Sequence, residues 1–373
     1  MNYYIIPKNN LKLELFLLEK SEQVNPIVSY SLIYHLNDSF NNLLKLEDNS
    51  NNITIDYINK IVNPFEFIHT NVPGSILSVS KVKPESNIFF ELLEIFHLCN
   101  IFDLSQLNAQ INIAHLTPNY SSTNYLLNLL RENNDDSVLF EGFNYEKLCN
   151  KFVKNEYPDK IDLFIIEFNN IDYTNTNQYI NNLLLVLFII IKYQKNDGTS
   201  IIKLDGIFYK IIIDVILILS SIYDKVFLTK PNISNITKGD RYIICKKLKN
   251  EAIINSNLLS QIEKHLTQKL LNPVSDKNLH SILNNEIPYY FLNKIEETNA
   301  IIGQQQLESL DQIINIFKNK NKIDKIESLK RNHIQKCVNW CEKNQIPHNK
   351  FIDKINIFLS PKKHNELELE PES

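Results

Sequence analysis

Glycine is scarce in this sequence, at 6 of 373 residues, whereas an average protein contains about 7% glycine. Because glycine has no Cβ, it lets a loop bring its backbone N–H groups close to a phosphate or a nucleotide. The shortage therefore argues against a nucleotide-binding loop of the usual glycine-rich kind.

Cysteine and long apolar segments are also limited. The 5 cysteines are scattered without the spacing of a disulfide framework, which suits a reducing compartment. The longest apolar run, Leu183–Ile191, is about half the length of a membrane span. Residues 1–10 lack the charged start and apolar core of a signal peptide. We therefore expect an intracellular, cytoplasmic protein with no membrane partner.

The net charge limits where nucleic acid could bind, and the chain length indicates the number of structural units. The net charge is −4, so any nucleic-acid-binding surface must be a local patch. The length corresponds to two or three units of about 150 residues. We predict an N-terminal α+β extension at 1–80, an α/β core at 81–250, a helical region at 251–360 and a disordered tail at 361–373. Within them, the polar and acidic residues 37–52 predict a loop or a partly disordered segment, and residues 278–284 predict a helix.

The most informative segment lies between Gly198 and Leu248. Its apolar and β-branched residues predict four elements in succession. They are a strand at Ser200–Leu204, a helix at Ile207–Tyr223, a strand at Val226–Thr229 and a strand at Tyr242–Leu248. Strand, helix, strand, loop and strand is the order that closes the sheet of class I methyltransferases.

The same segment carries a motif in a fixed order and spacing. Its residues are Gly198-Thr199, Lys203, Lys230-Pro231, Ser234 and Asp240-Arg241-Tyr242 through Cys245. In this the chain resembles the FtsJ-like RNA 2′-O-methyltransferases, including the cap methyltransferases of large DNA viruses, over about residues 63–250. The resemblance implies an α/β fold, a class I methyltransferase Rossmann-like sheet, with an N-terminal extension and a C-terminal helical region. It also adds a viral factory or virion to the expected locations.

The resemblance implies S-adenosylmethionine as cofactor, bound in a loop after the first strand of the core. His115-Leu116 match the end of that strand, and Tyr125–Leu130 match the helix that follows. Ser121 and Ser122 stand where the family has a glycine pair, and Pro118 stands where it has an acid. Each serine Cβ narrows the approach to a cofactor, so we expect weak or absent cofactor binding.

FtsJ-like enzymes use a Lys-Asp-Lys-Glu tetrad, in which the second lysine lies beside the reacting hydroxyl. The resemblance assigns Lys203 to that position and Asp240 to the glutamate. Glu91 replaces the first lysine, and Phe168 aligns with the aspartate. On a helix, Glu91 is otherwise expected at the surface. Glu167 is one position off, and the two-residue strand period would point it away from Lys203.

These departures favour a catalytically degenerate protein that needs no cofactor and serves as an RNA-binding or scaffolding subunit. Its expected partners are RNA and a capping enzyme or another protein. An active S-adenosylmethionine-dependent RNA 2′-O-methyltransferase with an unusual site is the alternative. A purely structural protein that uses the fold for packing is a third possibility.

Two basic clusters are candidates for RNA contact. The first surrounds the last two strands of the core, and we assign RNA binding to its members Lys225, Lys230, Arg241 and Lys246. The second lies in the C-terminal helices, at residues 318–336. Charge runs of this kind are also common on solvated faces.

One set of metal-like residues follows a helical spacing, His333, Cys337 and Cys341. Two successive steps of four residues spread the side chains over about 12 Å, whereas zinc binds sulfur at about 2.3 Å. We therefore predict that Cys337, Trp340 and Cys341 form the buried face of a helix, and we predict no metal site.

Overall fold

The computed structural model of the protein describes residues 3–9, 15–47, 54–102, 110–131, 136–141, 160–168, 176–249, 256–271, 278–319 and 323–351. Within them lie nine strands, nine α-helices and a short 3-10 helix, Glu66–Ile68. The strands are β1 (Tyr3–Ile6), β2 (Leu15–Lys20), β3 (Asn112–Thr117), β4 (Asp136–Glu141), β5 (Ile161–Glu167), β6 (Gln194–Leu204), β7 (Tyr223–Thr229), β8 (Arg241–Leu248) and β9 (Asn278–Leu283). The helices are α1 (Tyr30–Glu47), α2 (Ile55–Val62), α3 (Ile88–Cys99), α4 (Tyr120–Arg131), α5 (Thr176–Tyr193), α6 (Lys210–Ile222), α7 (Ser256–Leu271), α8 (Tyr289–Lys318) and α9 (Ile323–Lys343).

Seven of these strands form one sheet in the order β1-β7-β8-β6-β5-β3-β4. The neighbours β4, β3, β5 and β6 are parallel. Strand β8 runs antiparallel between β6 and β7, and Lys203 pairs with Tyr242. The expected α/β methyltransferase-like sheet, with its antiparallel strand beside Ser200–Leu204, is therefore confirmed.

The two faces of the sheet are covered by two hydrophobic clusters. Helices α5 and α6 pack on one face, and α3, α4 and α9 contribute to the cluster on the other. Side chains alternate along a strand, so Ile202 and Leu204 face the first cluster and Ile201 faces the second. Lys203 therefore lies on the α3 side of the sheet. In the part of the chain that is described, no helix is long and apolar enough to cross a membrane.

Two local predictions were wrong. Helix α1 continues through residues 37–47 instead of giving way to a loop, since Leu36 and Leu43 recur on one helical face and are buried. Residues 278–283 form strand β9 instead of a helix, and β9 pairs with β2 from the N-terminal part of the chain. A distant pairing partner overrode the local pattern in the second case.

The N-terminal part of the chain also contributes to the main sheet. Strand β1 pairs with β7 at its edge, with Tyr3 opposite Thr229. The division into four segments stays a prediction, and the tail at 361–373 lies outside the described residues.

Candidate functional site

Lys203 is the centre of a cluster of charged side chains near the C-terminal end of β6. Its ammonium lies 2.7 Å from Glu91 Oε2, 3.5 Å from Asp240 Oδ2 and 3.9 Å from Glu167 Oε1. The lysine side chain is 16% exposed. Three separate parts of the chain, α3, β5 and the residue before β8, therefore bring the three carboxylates to one lysine on β6.

Glu91 reaches Lys203 from the first turns of α3. The whole segment Ile88–Phe96 is buried, because α3 packs directly on the sheet. The Glu91 carboxylate accepts hydrogen bonds from the Tyr242 hydroxyl and from Asn87 Nδ2, the latter at 3.3 Å. This corrects the expectation of a surface glutamate, since Glu91 is 3% exposed.

Glu167 also faces Lys203, contrary to the prediction that it would point away. The two residues are register partners in the parallel strands β5 and β6, and in-register neighbours project to the same face of a sheet. Phe168 projects to the opposite face, where its ring lies 5.3 Å from that of Tyr179. Glu167, and not Phe168, is therefore the residue that meets Lys203 from this strand.

Asp240 precedes β8 and is held by a second lysine. Lys230 donates to Asp240 Oδ1 at 2.9 Å and to the carbonyl oxygens of Lys238 and Asp240. Burial opposes ionisation of Asp240, but the charges of Lys230 and Lys203 outweigh it and lower the pKa of Asp240 to about 2. Asp240 is therefore an anion at neutral pH.

The same cluster fixes the protonation state of Lys203. Burial favours the neutral amine, but the carboxylates of Glu91, Asp240 and Glu167 outweigh burial and raise the pKa of Lys203 above its ordinary value of 10.5. Burial and these carboxylates also raise the pKa of Tyr242 well above its ordinary value. At neutral pH the centre is thus an ammonium ion with no free electron pair. A cavity of about 220 Å³ opens onto Glu91, Lys203 and Asp240.

The edge of the sheet at β3 and β5 is where the cofactor was expected. Glu167 bridges the two strand ends, because its Oε2 accepts hydrogen bonds from Thr117 Oγ1 at 2.7 Å and from Asn119 Nδ2 at 2.8 Å. The connection between β3 and α4 is only two residues long, Pro118 and Asn119. These hydrogen bonds join the side chains of Thr117, Asn119 and Glu167 at the ends of β3 and β5.

Ser121 and Ser122 lie in the first turn of α4 and not in an open loop. The Ser121 hydroxyl donates to Glu85, and the Ser122 hydroxyl accepts from the backbone N–H of Ser86 at 2.8 Å. Nearby, His115 is fully buried, and burial lowers its pKa to about 4. The two hydroxyls join α4 to the segment before α3.

Comparison with known proteins adds one finding. No family model matches the chain. Over 151 residues it is 26% identical to a cap-specific mRNA (nucleoside-2'-O-)-methyltransferase 1A of Caenorhabditis briggsae, a match that covers 39% of this chain and 17% of that protein. The similarity is distant. Together with the sheet topology, the similarity supports a methyltransferase-like function for this chain. The match spans less than a fifth of the length of this relative.

The four residues assigned to RNA contact do not share one surface. Arg241 is 1% exposed, and its guanidinium donates to Asn299 Oδ1 at 2.6 Å and to the carbonyl of Gly239. Lys230 forms an ion pair with Asp240, and the Lys230 side chain is 9% exposed. Both side chains are therefore engaged by other groups of the protein, and their assignment to RNA binding stays a prediction.

Lys225 and Lys246 do lie together, at the opposite end of the sheet from Lys203. They are cross-strand partners, and with Lys247 they line a cavity of about 340 Å³ that also contains Tyr3 and Phe227. Lys246 donates to the carbonyls of Cys99 and Asn100 at the C-terminal end of α3. Like charges directly opposite each other destabilise a sheet. An anion bound near Lys225 and Lys246 would reduce the repulsion between the two ammonium groups.

The residues with metal-like spacing form part of the core. His333 Nδ1 lies 2.8 Å from the carbonyl oxygen of Ile61, and Cys337 and Cys341 are fully buried on α9. Burial raises the pKa of Cys341 to about 12. Cys337, Trp340 and Cys341 are buried on the same helix, as predicted.

Proposed function

We propose that this protein is a methyltransferase-fold RNA-binding subunit that does not itself transfer methyl groups. The observation that carries the proposal is the enclosure of the Lys203 ammonium by three carboxylates. A base that draws the proton from a ribose hydroxyl needs a free electron pair at the pH of the reaction. The raised pKa of Lys203 denies it that electron pair.

The identity of the neighbouring residues explains why Lys203 stays charged. In the family that the sequence resembles, two lysines and two acids share the site, and here Glu91 takes the place of one lysine. An added carboxylate near a lysine favours the charged form of the lysine. The replacement therefore shifts Lys203 from a candidate base toward a permanent cation in an ion-pair network.

The described residues also fit S-adenosylmethionine poorly. A cofactor at the end of β3 would need the space that Glu167, Thr117 and Asn119 fill with their mutual hydrogen bonds. A cofactor that approached the backbone N–H groups near the start of α4 would meet the Cβ atoms of two serines, which the glycine pair of the family lacks.

We expect calorimetry to detect no binding of S-adenosylmethionine at about 100 µM, a concentration well inside the usual range of enzyme KM values. The measurement uses the full chain, with its thermal midpoint as the check that it is folded. A dissociation constant near about 1 µM would contradict this prediction.

RNA binding is the role that we assign to the cavity around Lys225 and Lys247. Both lysines are exposed, whereas Lys246 is tied to the end of α3. The rings of Tyr3 and Phe227 lie 5.6 Å apart in an edge-to-face arrangement and offer apolar surface beside the charges. Cations beside aromatic rings are the usual surface for single-stranded nucleic acid.

Changing Lys225 and Lys247 to glutamate is expected to weaken binding of single-stranded RNA by about tenfold or more at low salt, because each phosphate that a lysine neutralises contributes through counterion release. The slope of log affinity against log salt should fall by about 0.7 for each phosphate that is no longer neutralised. Fluorescence anisotropy with a labelled oligonucleotide measures both quantities.

The matched control replaces Lys20 and Lys264, which are also exposed, with glutamate. It changes the net charge equally and should leave the affinity and the salt slope close to wild type. If both double variants lose the same affinity, the effect is one of overall charge, and the cavity is not the RNA site.

An active RNA 2′-O-methyltransferase is the second candidate, favoured by the convergence of Glu91, Glu167 and Asp240 on Lys203. Its test is transfer of a labelled methyl group from S-adenosylmethionine to capped RNA. Lys203→Arg is the diagnostic variant, since arginine keeps the positive charge but is not deprotonated in proteins. Transfer by the wild type that this variant abolishes would replace the first proposal with the second.

A further inference from the structure

Helix α1 has a second apolar face besides the one that it buries. Its inner face packs against α8, where Gly303 leaves room for the side chain of Leu32. On the opposite side, four large apolar or aromatic residues are between 41% and 70% exposed, namely Tyr30, Tyr34, Phe40 and Leu44. A contiguous exposed apolar surface usually marks a site of interaction.

These four side chains belong to one continuous stripe along the helix. Together with Ile33, Asn37 and Asn41 they fall within an arc of about 120°, because successive residues of an α-helix are about 100° apart. Positions 30, 33, 37, 40 and 44 follow steps of three and four residues in alternation, which is the spacing of a coiled-coil seam. We call the seven residues the α1 stripe, which comprises Tyr30, Ile33, Tyr34, Asn37, Phe40, Asn41 and Leu44.

The composition of the α1 stripe is typical of the centre of a protein interface. The stripe contains three aromatic residues and no charged residue. Interface centres are likewise enriched in aromatic residues and depleted of charged ones. A face that carried charges of one sign would repel a second copy of itself. The α1 stripe carries none, so it can pack against its own copy.

The α1 stripe is also symmetric about its central residue, Asn37. Its other members lie three, four and seven residues before Asn37 and at the same distances after it. A two-fold axis through Asn37 therefore places each member opposite a member of an antiparallel second helix. The opposed pairs are Tyr30 with Leu44, Ile33 with Asn41, Tyr34 with Phe40, and Asn37 with its own copy. An amide has both donors and acceptors, so the two Asn37 side chains can hydrogen-bond to each other.

The exposed area of the α1 stripe is sufficient for a reversible dimer. Since a large aromatic side chain covers about 150–250 Å², the exposed fractions of the stripe correspond to about 600 Å² in one chain. Two stripes packed together would bury about 1,200 Å², which is the lower end of the range of about 1,200–2,000 Å² for specific interfaces. We therefore expect an association that is specific but dissociates on dilution.

We propose that two copies of this chain associate through an antiparallel pair of α1 helices. Tyr34 and Phe40 form the centre of the contact, and Tyr30 meets Leu44 of the second copy at each end. Asn37 is the polar residue of an otherwise apolar seam and fixes the register. The proposal goes beyond the function proposed above, because it requires neither RNA nor the cavity around Lys225 and Lys247.

Sedimentation equilibrium of the full chain, from about 1 to 100 µM, is expected to show a reversible equilibrium between monomer and dimer. Tyr34→Glu should weaken the association by about thirtyfold or more, because Tyr34 is a central aromatic anchor and the dimer would bury the new carboxylates. Ser31→Glu adds the same charge at an exposed position of α1 outside the stripe and should leave the affinity close to wild type. A single monomeric species up to about 100 µM, or equal losses in the two variants, would overturn the proposal.

A pair of opposite charges tests the antiparallel arrangement. Tyr30→Lys and Leu44→Glu should each weaken the dimer, because each places a charge against an apolar side chain. The variant with both changes should regain affinity, since each new ammonium group then faces a new carboxylate of the second copy. Within one helix the two positions are about 20 Å apart, so the new groups do not pair inside a chain.

A parallel pair of helices would give the opposite result. Each new charge would then face its own kind, and the variant with both changes would associate more weakly than either single variant. Both positions are exposed, and thermal midpoints check that every variant is folded. Regained affinity in the double variant supports the antiparallel dimer, and a further loss of affinity would overturn it.

Discussion

Replacing Lys203 with methionine is expected to lower the free energy of unfolding by about 3 kcal/mol at neutral pH, because removing one partner of a buried ion pair leaves the other charge uncompensated. Here the apolar side chain would face three carboxylates, of which Glu91 is 3% exposed and Asp240 is 9% exposed. Urea denaturation followed by circular dichroism measures the difference. Lys225→Met, at an exposed position, is the matched control and should change stability by less than about 0.5 kcal/mol.

The pH dependence gives a second check on the same cluster. The folded-state pKa of Asp240 is about 2, below its ordinary value of 3.8. Asp240 therefore contributes stability that is fully present above about pH 4 and is lost as the pH falls toward 2. Without Lys203, one of the three lysines that lower this pKa is gone, so acid unfolding of Lys203→Met should begin at a higher pH. Unchanged acid unfolding, together with wild-type stability at pH 7, would show that Lys203 does not stabilise the ionised form of Asp240.

The sheet could be predicted from the sequence because short stretches of consecutive residues indicate its strands and the order of neighbouring elements indicates how they pair. The strands at Ser200–Leu204 and Tyr242–Leu248 are short apolar segments with β-branched residues, and the order of elements between them leaves few topologies. The motif contains both Lys203 and Asp240, and their side chains lie 3.5 Å apart because β6 pairs with β8, which begins directly after Asp240.

The positions of Glu167 and Glu91 depend on how separate elements pack together, and the spacing of residues along the chain does not reveal this packing. Glu167 faces Lys203 because of the register between β5 and β6, and a shift of one residue would have turned it away. Glu91 is buried because other parts of the protein cover every face of α3 over residues 88–96. Strand β9 depends on a partner, β2, that lies more than 250 residues earlier, since Lys20 pairs with Asn278.

Burial of basic residues was the main feature that the sequence could not show. Arg241 and Lys230 lie in a segment rich in lysine, which suggests a solvated or RNA-binding surface. Helix α8 instead covers Arg241 through Asn299, and Asp240 holds Lys230. Whether a cation meets solvent or an internal acceptor depends on distant elements that pack over it.

Replacing Arg241 with methionine is expected to reduce the free energy of unfolding by about 3 kcal/mol and to leave the affinity of the folded protein for RNA unchanged. The change leaves Asn299 Oδ1 and the Gly239 carbonyl without the guanidinium that now donates to them, and each buried acceptor left unpaired costs about 1–3 kcal/mol. Asn299 also donates to the carbonyl of Ile207 at 2.8 Å, so the substitution would loosen the packing between α8 and the chain before α6.

Lys225→Glu provides the opposite pattern, with weaker RNA binding and nearly unchanged stability, because its side chain is exposed. Urea denaturation and RNA anisotropy on both variants therefore form a crossed pair of measurements. Weaker RNA binding by Arg241→Met under conditions where it is fully folded would place Arg241 at the RNA surface after all, which requires α8 to move away from β8.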